Sequence, residues 1–288
     1  MKEFVVISGK GGTGKTSITA AFASLAENAV FADCDVDAAD LHLILKPKVK
    51  KTMSFHGLKI ASIDKDKCID CKKCYNHCKF EAIDEEINFI KERCEGCSVC
   101  AYVCPVKAIE MVDRDSGFAY ISETRFGPMS HAVLNTAEEA SGKLVTLVRE
   151  NAKKLAEKEK KDLIIIDGPP GIGCPVISSI AGVDLVLIVT EPTLSAIHDL
   201  QRTLDVTNHF KTPAVVCINK YDINLENTKK IEEYCNKQGI NLIGKLPYDT
   251  MVTKAMIHEK SIIELSKENP VSRGIIEMWD EIKRRLSV

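Results

Sequence analysis

The sequence has almost no net charge: 39 Lys and Arg against 41 Asp and Glu leave −2 over 288 residues. That balance removes the long-range field that gathers a basic protein onto nucleic acid or an anionic bilayer. No nucleic-acid partner and no membrane partner is expected. Long apolar runs are also missing near the start. MKEFVVISG holds only four consecutive apolar residues before glycines begin, too few for a secretory core or a membrane span. The expected location is the cytoplasm. With 45% hydrophobic and 28% charged residues, composition gives no sign of disorder or of a coiled coil. A chain of this length can bury one large core or two smaller ones, so function must be sought in local sites.

Cysteine is the residue in surplus. Of 12 cysteines, eight fall between Cys68 and Cys104, while Cys34, Cys174, Cys217 and Cys235 are scattered. In a reducing compartment such clustering favours metal chemistry over disulfides. CIDCKKCYNHCKFEAI (68–83) repeats as CEGCSVCAYVCPVKAI (94–109), an offset of 26 residues that two copies of one small unit explain. Each copy reads C-x2-C-x2-C-x3-C. Three cysteines at steps of three can wrap three corners of a cubane, and the fourth is aimed at the other cluster. Cys68, Cys71, Cys74 and Cys104 then hold one 4Fe-4S cluster, and Cys94, Cys97, Cys100 and Cys78 the other. The pattern resembles a bacterial two-cluster ferredoxin over about residues 60–112. Zinc is the competing metal, although a tetrahedral site normally draws on two separated pairs. Lys79 stands where that pattern places a proline after Cys78, a change that removes no ligand. His77 reads as a solvated neighbour of the sulfurs.

Upstream, Gly9-Lys10-Gly11-Gly12-Thr13-Gly14-Lys15-Thr16 fits G-x-x-x-x-G-K-[ST] at every fixed position. A β-branched run, Phe4 to Ile7, precedes it, and an apolar helical pattern through Ile18, Phe22 and Leu25 follows. Glycines let backbone N–H groups turn inward around phosphate oxygens, and the helix N-terminus adds a favourable dipole. Lys15 is expected on the β and γ phosphates and the Thr16 hydroxyl on Mg2+, with Ser17 beside them.

Lys10 is not needed by an ordinary phosphate loop. GKGGTGKTS resembles the deviant Walker A motif of the MinD, Mrp and nitrogenase iron protein group of ATPases. That resemblance implies a homodimer with ATP at its interface, Lys10 reaching across to the partner's nucleotide. Asp33-Cys34-Asp35 resembles the group's switch I, in which Asp35 orients the attacking water and Asp33 supports Mg2+. Leu163-Ile164-Ile165-Ile166-Asp167-Gly168-Pro169-Pro170-Gly171 resembles Walker B with switch II. An aspartate ending a buried apolar strand is costly unless paired, so metal or water coordination suits Asp167. Leu246-Pro247-Tyr248-Asp249 resembles the loop beside the base, placing Pro247 and Asp249 at the nucleotide, and Asn219 occurs at the matching strand end. Asn219-Lys220-Tyr221-Asp222 also fits the N-K-x-D pattern of GTPases, which leaves GTP open beside ATP; alternatively Asp222 is a turn residue.

Strands are expected at Val30 to Ala32, Leu163 to Asp167, Leu185 to Val189, Ala214 to Ile218 and Asn241 to Leu246, with a helix from about Glu138 to Lys158. Lys46-Pro47-Lys48-Val49-Lys50-Lys51 reads as a solvated connection. From Gly274 to Leu286, Ile275, Trp279, Ile282 and Leu286 share one helical face, which fits an ordinary last helix packed on the sheet. The expected fold is therefore α/β: a parallel-sheet P-loop NTPase domain over 1–56 and 113–288, interrupted by an α+β ferredoxin-like domain over 57–112. The expected cofactors are ATP, Mg2+ and two 4Fe-4S clusters. An ATP-gated electron carrier with a redox partner is the leading function, and a maturation or scaffold ATPase acting on a metalloprotein is the alternative. A partitioning ATPase is weakened by the missing basic excess. Cys174 follows Asp167 by seven residues, the offset of a cluster ligand in the nitrogenase iron protein; the plainer reading is a small buried thiol at a loop. Every C-x-x-C belongs to the repeat, which counts against cluster transfer of the Mrp kind.

Overall fold

Runs of Val, Ile, Leu and Phe punctuate the chain on either side of the cysteine repeat, and a computed structural model, describing residues 1–135, 138 and 142–288, folds each into a strand. Two compact units result, Met1–Met53 with Ala119–Val133 and Ala140–Val288, and Ser54–Phe118 with Leu134–Glu139. No motif in the sequence had marked the stretch 134–139.

In chain order the elements are β1 (Lys2–Ser8), α1 (Lys15–Leu25), β2 (Ala29–Asp33), α2 (Leu41–Leu45), β3 (Lys48–Ile63), α3 (Lys73–His77), α4 (Val99–Val103), β4 (Ile109–Thr124) and β5 (Gly127–Leu134). There follow α5 (Gly142–Glu159), β6 (Leu163–Pro170), α6 (Cys174–Ile180), β7 (Leu185–Thr190), α7 (Ala196–His209), β8 (Ala214–Asn219), α8 (Leu225–Lys237), β9 (Asn241–Leu246), α9 (Thr250–Ile257), α10 (Ile262–Leu265) and α11 (Pro270–Leu286).

The first unit is an α/β fold with a mostly parallel sheet. Its strands run β5-β2-β6-β1-β7-β8-β9, and every one of these pairings is parallel. Such strands are covered on both faces, which is why β7 reads as an unbroken apolar run and is buried throughout. Register does the positioning. Asp33 lies opposite Asp167 on neighbouring strands, and Ser8 opposite Pro170. The loops after β1, β2 and β6 therefore emerge together at the carboxyl ends of the strands, where open α/β sheets place their ligands.

α11 closes the far side. Ile275, Trp279, Ile282 and Leu286 are all buried, and Trp279 stacks on Phe22 of α1 at 5.4 Å between ring centroids. Phe22 meets Phe4 of β1 edge-on at 5.8 Å. Strand, helix and helix are thus joined through three rings. Among the described residues no helix is long and apolar enough to cross a membrane.

The connection expected at 46–51 is corrected: β3 starts at Lys48, directly after Pro47, and its basic residues are exposed. Proline is tolerated there because it precedes the first residue of the strand. The strands β3, β4 and β5 had no counterpart in the sequence reading. Of the helix expected from about Glu138, residues 139–141 lie outside the described residues, and α5 runs Gly142–Glu159.

The second unit has its own small core of Ala61, Cys74, Ile83, Ile87 and Ile109. Its internal repeat is written into the backbone. Left-handed residues recur at the sequence offset: Asp70 and Gly96, Lys72 and Ser98, Glu81 and Lys107. α3 and α4 start directly after Lys72 and Ser98.

Trp279→Ala is expected to cost about 3–5 kcal/mol of stability. Urea unfolding measures it, and a loss below about 1 kcal/mol would show that α11 does not close the core as described.

Candidate functional site

The loop 9–14 leaves β1 and enters α1 through Gly12 (φ +79) and Gly14 (φ +92), left-handed conformations that side chains resist. At Gly14 space is decisive as well, since a Cβ there would lie 2.4 Å from Nδ2 of Asn219. That amide donates to the Thr13 carbonyl at 2.8 Å, tying the end of β8 to the loop. Gly9 is equally confined, its Cβ position falling 2.8 Å from the Asp199 carbonyl. A cleft of about 390 Å³ opens beside the loop; Gly11, Gly12, Lys15, Thr16, Ser17 and Asp35 line one end. Thr13 is buried, with its hydroxyl unpartnered.

Lys15 is buried and points Nζ at Oδ2 of Asp35, 3.5 Å away. Lys10 does not line the cleft. It is exposed and turns toward Oε1 of Glu191 at 3.8 Å. Lys220, which the sequence offered only inside the N-K-x-D match, holds this corner: its ammonium reaches both Oε2 of Glu191 and the Gly12 carbonyl at 3.0 Å.

Asp33 and Asp167 are fully buried. Oδ1 of Asp33 accepts from the Asp35 amide at 3.2 Å, and Oδ1 of Asp167 accepts from the Thr19 hydroxyl at 2.9 Å. Oδ2 of each is left without a partner. Burial first, and then the charges of Asp167 and Asp35, raise Asp33 well above the usual carboxylate range. Burial pushes Asp167 up to about 6 against the pull of Lys15, Thr16 and Thr19. Asp35 is raised by burial and partly restored by Lys15. Two orphaned carboxylate oxygens beside Thr16 are the donor set that suits a hard cation such as Mg2+. Thr19 was missed in the sequence, although it lies one turn beyond Lys15 on the same helix.

The far end of the cleft is apolar, with Leu246, Val252, Met256 and Ile262. Pro247 and Tyr248 border it. Asp249 also borders it, but both its oxygens are taken: Oδ1 caps α9 at the Met251 amide (2.8 Å) and Oδ2 accepts from Asn269 (2.7 Å). Asp222 is committed elsewhere too. Its Oδ1 accepts from the Tyr248 amide at 2.7 Å, which steadies the 247–249 loop.

In the second unit the eight thiols of the repeat fall into two small cavities. Cys68, Cys71, Cys74 and Cys104 line one, and Cys78, Cys94, Cys97 and Cys100 line the other. The fourth thiol of each repeat thus crosses to the other cavity. Both crossing sulfurs accept a backbone amide four residues on, Ala82 to Cys78 at 3.3 Å and Ala108 to Cys104 at 3.2 Å. Among the described residues no three His, Cys, Asp or Glu converge on a single-ion site. His77 is exposed and pairs with the Lys73 carbonyl. Burial raises Cys74 and pushes Cys100 up to about 11. Cys174 corrects the buried-thiol expectation: it is exposed, at the start of α6, because Gly173 delivers it onto the first turn of a surface helix. Cys34, Cys217 and Cys235 are buried and outside both cavities.

The description "CobQ/CobB/MinD/ParA nucleotide binding domain" matches residues 4–262. An uncharacterized protein of Methanocaldococcus jannaschii is 36% identical over 285 residues, 98% of this chain and 96% of that protein. Pyruvate synthase subunit PorD of Methanothermobacter marburgensis is 51% identical over 49 residues, 17% of this chain and 60% of that subunit. Among solved structures, septum site-determining protein MinD of Pyrococcus horikoshii, complexed with Mg-ADP, superposes with a TM-score of 0.60 at 17% identity, over 98% of this chain and 96% of that one. That likeness is one of fold.

The burial of Asp167 carries a stability cost. Its folded pKa of about 6 exceeds the ordinary 3.8. Between those values the native state keeps a proton that the unfolded chain has released, so stability falls as pH rises through that window and stays reduced above it. Asp167→Asn is expected to stabilise the nucleotide-free protein at pH 7.5 by about 1–3 kcal/mol, with a smaller gain at pH 4. Thermal unfolding at both pH values checks this; a variant less stable than the parent at pH 7.5 would contradict it.

Proposed function

Because the chain belongs to the CobQ/CobB/MinD/ParA family of P-loop nucleotide-binding proteins, we propose that it binds and hydrolyses ATP as a homodimer and couples that cycle to one-electron transfer through two 4Fe-4S clusters. The observation that carries the redox half is the sorting of eight thiols into two cavities of four, each completed by a cysteine from the other repeat. A single tetrahedral ion has no use for such an exchange; a pair of cubanes does. The 49-residue likeness to a pyruvate synthase subunit supports the same reading.

On the nucleotide side, Thr16, Asp33 and Asp167 would hold Mg2+, which the two orphaned oxygens favour. When bound, the ion neutralises charge on the phosphates. Lys15 moves its ammonium from Asp35 to the β and γ phosphates, and Asp35, so released, orients the water for in-line attack. Lys10, exposed and turned away from its own cleft, serves the partner's nucleotide. Catalysis is then positioning plus charge neutralisation. Adenine occupies the apolar end between Leu246 and Met256. ATP is favoured over GTP because Asp222, the carboxylate a guanine would need, is already bonded to the Tyr248 amide.

A coupling of ~3 kcal/mol, the upper end of the usual allosteric range, would move a one-electron potential by roughly 130 mV. A second reading, a scaffold that hands its clusters to an apo-metalloprotein, is favoured by the exposure of Cys71 and Cys97.

Protein purified without air is expected to carry about eight iron and eight sulfide per chain and to turn over ATP at different rates with clusters oxidised and reduced. Lys15→Ala should abolish turnover, whereas Lys10→Ala should keep ATP binding and lose about 10³–10⁵-fold in kcat, the range for a cation supplied across an interface to phosphoryl transfer. Colourless, iron-free protein that still cleaves ATP sinks the redox half; release of the clusters to an apo-protein within one redox cycle selects the scaffold.

A further inference from the structure

Arg114 has no place in the nucleotide chemistry or among the thiols, yet it is buried. Its Nε donates to Oε1 of Glu138, itself nearly buried, and its Nη1 donates to the Cys94 carbonyl at 3.2 Å. Both partners belong to the second unit. The backbone around the pair is stitched together. Asn135 bonds β4 twice, its amide to the Ser116 carbonyl (2.9 Å) and its side chain to the Asp115 carbonyl (3.0 Å), and the Glu138 amide returns to the Asn135 carbonyl (3.1 Å). Glu138 is therefore held against β4 rather than hanging from a loop.

We propose that the Arg114–Glu138 pair positions the Cys94 end of the second thiol cavity and sets the potential of the cluster held there. This rests on reading the cavities as cluster sites. A buried ion pair is electrically quiet while both members are present, and removing one leaves an uncompensated charge. Charge and hydrogen bonding around a cluster set its potential. A net positive charge beside Cys94 favours the reduced form, and a net negative charge opposes it.

The test is an EPR-monitored redox titration of the full, cluster-loaded chain. Cys97→Ser identifies the signal of the second cluster, and the first cluster is the internal control. Glu138→Gln is expected to raise the second potential by about tenfold in the reduced-to-oxidised ratio, about 59 mV, and Arg114→Gln to lower it. The double variant should return it toward the parent value. Shifts of the same sign in both single variants, or potentials equal to the parent's with clusters intact, would overturn the proposal. If Arg114→Gln does not fold, Glu138→Gln decides alone. Parent protein without iron would sink the cluster reading instead.

Discussion

Two carboxylates face each other across adjacent parallel strands, at full burial, with one oxygen apiece unpartnered. Everything at the nucleotide end follows from the cost of that arrangement. Burial in a poorly polarisable interior pushes both toward the protonated form, and the charge of Asp167 adds to the displacement of Asp33. A cation relieves the conflict. The strand register that produces it is the same register that brings the loops after β1, β2 and β6 to one level, so the sheet sets both the position of the phosphates and the affinity for what must accompany them. Lys15 is a partial substitute, its ammonium pulling Asp35 and Asp167 down against the effect of burial.

Much of this was legible in the sequence because it depends on period and spacing. The strands at 163–170, 185–190, 214–219 and 241–246 announced themselves as apolar runs, and the glycine loop by its fixed positions. The last helix was visible as a stripe of Ile275, Trp279, Ile282 and Leu286. β3 and β4 were not. Each is 16 residues long with a largely polar, partly exposed pattern, and half-exposed strands rich in Lys and Asp carry no strong periodic signal. The solvated link at 46–51 failed for that reason. Thr19, Lys220 and Arg114 were invisible for a different one: their roles arise from partners 148, 208 and 24 residues away. Cys174 misled because its neighbours in sequence are small and apolar, while its place on a helical first turn faces outward.

Asp222 and Asp249 show how motif and geometry diverge. Both stand where a nucleotide-binding pattern would put a ligand, yet Asp249 spends both its oxygens, and Asp222 its Oδ1, on the protein's own amides. They shape the apolar end of the cleft from behind. Tyr248 stands at the rim of that apolar end.

The exchange of Cys78 and Cys104 between the two repeats interlocks them. Neither half of the duplicated segment encloses a complete set of four sulfurs, so deleting or circularly separating one copy spoils both cavities at once. On the proposed cluster reading, the first inorganic core to settle would fix a sulfur-bearing segment of its neighbour's cavity and make the second arrival easier.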